Sequence, residues 1–204
     1  MNQTNILSRN RKLALTGAFS ALVIVLGITK LGIIPIGGTA SITILQIPVI
    51  LIVMLAGLPE GLFVGAVFGI MSLIQAAMSP SGALDPLFVY PWNSILPRML
   101  TAFVAWGLWK LLRLIPRLPK IISAGITGFF ATVAHTILVI GCLYLFNGEE
   151  IKEIMQVGYI ALIVMLSSNA ILESVATTFI CIAVFAGLYI AGKTKSKISS
   201  ISSK

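Results

Sequence analysis

Charge is what this sequence has least of. Only 10% of its 204 residues are Asp, Glu, Lys or Arg, 58% are hydrophobic, and the mean hydropathy is +1.05. A soluble domain is about one quarter charged, so a water-soluble globular fold is excluded. Histidine occurs once and acidic residues six times. With no paired carboxylates, nucleophile elbow or metal-ligand cluster, enzymatic catalysis has nothing to run on, and no cofactor or metal is called for. The two cysteines, Cys142 and Cys181, sit inside apolar runs, as inert core thiols do rather than disulfide partners.

What the chain does have is apolar runs separated by short basic segments. The runs predict membrane spans over about 11–33, 43–57, 59–78, 92–114, 120–146 and 165–192. The whole of 1–204 then reads as a single integral membrane domain, an all-α protein of six transmembrane helices in a compact bundle. The basic N-terminus followed by an apolar run superficially resembles a signal peptide, but further runs follow, so the first is read as a retained helix. Between the last two runs, 149–165 reads as an amphipathic segment, either a lid loop or an interfacial helix.

The net charge of +8 does not point to nucleic acid, because its location is that of a topology signal. With the N-terminus inside, Arg9, Arg11, Lys12, Lys110, Arg113, Arg117, Lys120, Lys193, Lys195, Lys197 and Lys204 all fall on the cytoplasmic side. Lys30 and Lys152 fall outside, against Asp85, Glu149, Glu150 and Glu153. Both termini are therefore expected in the cytoplasm. Arg98 belongs to neither side: it lies inside the fourth run, about 9 Å past its outer end at helical rise.

An intramembrane arginine marks a functional position by default. Under this topology Gln46, Gln75, Asn93, Arg98, Asn169 and Glu173 fall in the outer half of the bundle, with His135 and Thr132 near mid-depth, while the inner half is nearly all aliphatic. That asymmetry suggests a solute pocket open to the outside. Other readings stand beside it. Arg98 and Glu173 could pair with each other, Arg98 could snorkel to the outer headgroups, His135 could be an interhelical hydrogen-bonder, and Gln46 and Gln75 could be helix glue. Pro97 withdraws a backbone donor from the early turns of the fourth helix, which frees a carbonyl there.

Small residues form two stripes. Ala14, Gly17, Ala18 and Ala21 line one face of the first helix, and Gly61, Gly65 and Gly69 make a doubled GxxxG in the third. The glycines fit packing inside the bundle, and the first-helix stripe could serve a separate membrane partner. A formal phosphate-loop match, Gly187 to Thr194, ends an apolar helix rather than linking a strand to a helix, and is rejected.

These residues together resemble a known family. The Ala14-x3-Ala18 element, Ile42-Thr-Ile-Leu-Gln-Ile-Pro48, Gly57-Leu-Pro-Glu-Gly-Leu-Phe-Val-Gly65, Gly69 to Gln75, Asn93-Ser-Ile-Leu-Pro-Arg98 and Ala134 to Gly141 are similar to the substrate-binding S components of energy-coupling factor (ECF) transporters, bacterial vitamin importers. The stretch Asn93 to Arg98 looks most similar to pantothenate-type members. The resemblance implies a multi-pass subunit of the bacterial cell membrane that captures a vitamin from outside. It also implies two kinds of partner, a transmembrane coupling subunit docked on the Ala14 and Ala18 face and two cytoplasmic ATPases. A carboxylate vitamin would account for Arg98 chemically, with Asn93, Gln75, Asn169 and His135 meeting hydroxyl and amide groups. Some relatives are expected to carry asparagine where His135 stands, a departure that points to altered specificity. Riboflavin, folate, a pyridoxine-like compound or a thiamin precursor are the other substrates of the class, and a stand-alone secondary transporter is the alternative outside it.

Overall fold

Proline, glycine and runs of β-branched residues decide where the helices of this chain start and stop. The structure is a computed structural model and describes residues 9–29, 32–36, 40–80, 84–155 and 159–202. Helix α1 (Arg9–Ile28) leads into strands β1 (Ile33–Ile36) and β2 (Ala40–Thr43), which pair antiparallel with Ile33 opposite Thr43 and Ile36 opposite Ala40. Helices α2 (Gln46–Leu55) and α3 (Leu58–Met78) follow, then a 3-10 turn at Asp85–Val89, α4 (Pro91–Arg113), α5 (Lys120–Met155) and α6 (Tyr159–Ser202).

Two expectations are corrected here. The bundle is not purely helical: the first apolar run stops being a helix at Ile28 and finishes as a β-hairpin, because Ile33, Ile34 and Ile36 are β-branched and favour extended backbone. Nor is the second run helical over all of 43–57: its helix is α2. Helix α2 has ten residues and rises about 15 Å, half a hydrocarbon core. Among the described residues, five helices are long and apolar enough to span.

The short helix is the core of the bundle. Its residues Gln46 through Met54 are all buried, as a helix apolar on every side must be. It contacts α1, α3, α4, α5 and α6. The chain leaves α2 through Gly57, whose φ of 123° is closed to side-chain-bearing residues, and Pro59 opens the first turn of α3. That turn is tied to the start of α1 by the Lys12–Glu60 ion pair at 3.3 Å. The doubled GxxxG packs inside, as its spacing suggested. A Cβ on Gly61 would strike Val53 of α2, and Cβ atoms on Gly65 and Gly69 would lie 2.9 Å from Arg98 O and 2.5 Å from Ile95 Cα of α4.

Helix α5 is interrupted at Asn147, which has φ −135° and ψ 29°. Its apolar limb therefore ends where the sequence placed the end of the fifth span, and a second limb carries Glu149 and Glu150 away from it. The candidate lid 149–165 is helical on both sides of 156–158, which lie outside the described residues, as do Lys30, the tip of the hairpin and residues 81–83.

Aromatic side chains mark both ends of α4. Tyr90 stacks on Trp92, and Trp92 meets Phe146. At the other end Lys110 lies over Trp106 and Arg113 over Trp109. Trp92 and Trp109 are about 25 Å apart along the helix, close to the separation of two interfacial aromatic belts. Large exposed apolar residues such as Phe103, Phe130 and Phe179 lie on the outer surface of α4, α5 and α6.

Candidate functional site

The site grows from a single backbone fault. Proline at 97 has no N–H, so the carbonyl four residues earlier, on Asn93, loses its helical donor. Arg98 supplies one. Its Nη1 donates to Asn93 O at 2.6 Å, and its Nη2 donates to Ser72 Oγ of α3 at 3.1 Å. The guanidinium also lies 5.0 Å from the ring centre of Phe88 and 5.4 Å from that of Phe68. These contacts hold it inside the bundle at 7% exposure.

What Arg98 lacks is a counter-ion. Among the described residues no carboxylate lies within ion-pair distance of it, and its Nε has no hydrogen-bond partner. The Arg98–Glu173 pair, open as an alternative from sequence, is not made. Both oxygens of Glu173 are engaged elsewhere. Oε1 accepts from the Thr43 amide at the end of β2 at 2.6 Å, and Oε2 accepts from Gln46 Nε2 at 3.2 Å. Snorkelling is not adopted either, since the side chain is buried against two aromatic rings.

Around Arg98 the helices bring further polar groups. His135 of α5 stacks on Phe68 with 5.8 Å between ring centres, and its Nδ1 shares a hydrogen bond with Thr101 Oγ1 of α4 at 3.1 Å. Phe68 thus contacts both the guanidinium and the imidazole. Thr132, one turn before His135 on α5, is fully buried and its hydroxyl has no partner. Asn93 is fully buried, donates to Leu87 O and Asn147 Oδ1, and keeps an unpartnered Oδ1. Ser94 donates to Phe88 O, which fixes the 3-10 turn that presents the Phe88 ring.

The sequence candidates therefore fall into two groups with no hydrogen bond or ion pair between them among the described residues. Asn93, Arg98 and His135 share one cluster. Gln46 and Glu173 share the other, where the hairpin meets α2 and α6, and Gln46 Oε1 is buried and unpartnered there. Gln75 lies apart from both, donating to Gly27 O and so joining α3 to α1. Asn169 lies outside the residues whose side chains are described. On α1, Ala14, Gly17, Ala18 and Ala21 are all exposed, and nothing lies within 4 Å of where a Cβ on Gly17 would be.

Sequence reasoning missed Phe68, Ser72, Phe88, Thr101 and Asn147. Phe68 and Ser72 are one helical turn apart on α3 and could have been read as one face. The Asn147-Gly148 pair is a turn signal just past the end of an apolar run. Thr43 acts through its backbone amide, which no side-chain pattern reports.

Comparison with known proteins bears on the chemistry. The chain is 27% identical over 123 residues to a pantothenic acid transporter, PanT, of Lactococcus lactis subsp. cremoris, covering 54% of this chain and 60% of that protein. It is 30% identical over 101 residues to a pantothenate transporter, PanT, of Leuconostoc mesenteroides, covering 48% of this chain and 50% of that one. The matches thus take in about half the length of each relative. The model of the ECF transporter substrate-specific component family matches residues 11–197, nearly the whole chain, and the protein belongs to that family of membrane transport components.

Proposed function

We propose that this chain captures pantothenate at the outer face of a bacterial cell membrane and delivers it for ATP-driven uptake, with a transmembrane coupling subunit and two cytoplasmic ATPases as its partners. The observation that carries the reading is the buried guanidinium of Arg98, which has no carboxylate within ion-pair distance among the described residues. An isolated charge in a low-dielectric interior is strongly unfavourable unless something neutralises it. A ligand carboxylate is that missing group, and its two oxygens match the free Nε and the remaining guanidinium N–H groups. Pantothenate carries one carboxylate together with an amide and hydroxyls. Asn93 Oδ1, Thr132 Oγ1 and Gln46 Oε1 are buried without a hydrogen-bond partner, so such groups would satisfy them. The two relatives' names support the same choice of vitamin.

The N-terminus is assigned to the cytoplasm on the distribution of basic residues, which puts the hairpin and the Asp85–Val89 turn outside, over the polar half of the bundle. The coupling subunit is assigned to the exposed Ala14, Gly17, Ala18 and Ala21 stripe. Such a surface admits a second helix at close range where lipid provides no hydrophobic drive. Uptake of labelled pantothenate by cells expressing the chain, with and without a coupling subunit and ATPases, tests the scheme. Uptake that requires ATP hydrolysis supports it, and uptake by the chain alone driven by an ion gradient would make it a secondary transporter.

A further inference from the structure

Asn93 and Asn147 form a hydrogen-bonded chain whose direction is forced at both ends. At one end the partner is the main-chain oxygen of Leu87, 2.8 Å from Asn93 Nδ2; a carbonyl only accepts, so the atom facing it must be the amide nitrogen. At the other end the partner is the Glu150 carboxylate, 2.8 Å from Asn147 Nδ2; a carboxylate also accepts, so the Asn147 atom facing it must be nitrogen. The link between them then runs one way, from Asn93 Nδ2 to Asn147 Oδ1 at 2.6 Å. Both hydrogens of the Asn93 amide nitrogen are engaged. Its oxygen is left buried and unpartnered, and the backbone oxygen of the same residue holds Arg98.

An asparagine amide in a polar pocket can usually turn over and offer either a donor or an acceptor. This one is held by two acceptors at once, Leu87 O and Asn147 Oδ1, and of the two only Asn147 is a side chain. Asn147 is itself fixed by geometry, since it occupies the non-helical break of α5 and is only 7% exposed.

We propose that Asn147 is a positioning residue that locks the Asn93 side chain as a hydrogen-bond acceptor, so that the site selects a ligand carrying an N–H or O–H donor near the anion held by Arg98. The inference rests on the carboxylate reading of Arg98 for the identity of that anion, and on geometry alone for the polarity of Asn93. A ligand with a carboxylate but no donor leaves Asn93 Oδ1 buried and unmet, which is the arrangement that discriminates most strongly between close analogues.

The test compares pantothenate with two analogues, one methylated on the amide nitrogen and one carrying methyl ethers in place of its hydroxyls, by calorimetric titration of the full-length protein. The protein as it stands should bind at least one analogue about tenfold or more weakly than pantothenate. Asn147→Ala leaves Leu87 O as the one remaining acceptor at Asn93 Nδ2, so the amide is held less firmly and the ratio should shrink by about threefold or more. The double variant Asn147→Asp with Glu150→Gln, which keeps an acceptor toward Asn93 Nδ2 and a donor toward position 147, should preserve the ratio. If Asn147→Ala weakens pantothenate and both analogues equally, or leaves the ratio intact, the proposal is overturned. Failure of pantothenate to bind at all would instead overturn the substrate. For that outcome the side-chain amide signals of Asn93, read by nitrogen-15 NMR without ligand, decide the matter. They should move on Asn147→Ala and stay in place in the Asn147→Asp, Glu150→Gln double variant, and unmoved signals on Asn147→Ala would sink the lock whatever the ligand is.

Discussion

The Arg98 guanidinium donates to the main-chain oxygen of Asn93, the carbonyl that Pro97 leaves without a helical partner. A proline in a helix interior normally costs about 3 kcal/mol, partly through that orphaned carbonyl. Here the defect is met by the next residue along, and in meeting it the arginine is turned inward. Pro97→Ala restores a backbone donor that competes for Asn93 O. It should raise the thermal midpoint, by the equivalent of about 1 kcal/mol, while weakening ligand binding by about tenfold as Arg98 loses its anchor. Thermal unfolding and titration on the same preparation check the two opposed signs.

The approach of α3 to α4 sets where Ser72 and Phe68 meet Arg98, and glycine permits it. A Cβ at Gly69 would lie 2.5 Å from Ile95 Cα, a backbone atom that cannot swing aside. Gly69→Ala should therefore destabilise by about 1–3 kcal/mol and displace the site. Gly17→Ala, with open space around it, should leave the thermal midpoint where it is.

Glu173 works at the hairpin rather than on Arg98. Replacing it by alanine removes the acceptor for the Thr43 amide and the partner of Gln46 Nε2. Amide exchange at Thr43 should accelerate by about tenfold or more. Glu173→Gln, which retains an acceptor oxygen, should restore most of the protection. An unchanged Thr43 rate in the alanine variant would show that the carboxylate does not hold the hairpin.

The exposed α1 stripe gives a prediction that separates docking from folding. Ala14→Arg and Ala18→Arg place a bulky cation on a smooth, exposed surface of α1. Co-purification with the coupling subunit should be lost, while ligand binding and the thermal midpoint remain. A fall in the midpoint would mean that the stripe packs within this chain instead.

Much of this was legible in the sequence because a bilayer restricts what a chain can do. Long apolar runs must become helices, so α3, α4, the apolar limb of α5 and α6 lie where hydropathy places them. Arg98 and Asn93 stood out because polarity is scarce, and GxxxG announced close packing before any contact was known. The hairpin was not legible: Ile33 and Ile34 continue an apolar run, and hydropathy does not distinguish helix from strand. Nor was the role of Glu173. Helical depth put it level with Arg98, but the pairing was decided by a backbone amide on β2, and backbone donors leave no mark in a side-chain pattern. Asn147 falls just past the fifth run, 120–146, and nothing in its spacing links it to Asn93.

The central claim is that the uncompensated charge of Arg98 is met by the carboxylate of a vitamin. The most direct measurement is mass spectrometry of small molecules retained by the purified protein and by its Arg98→Ala variant. The account predicts pantothenate, about one per chain, in the first and none in the second. An uncharged ligand, or pantothenate held equally well without the guanidinium, would contradict it.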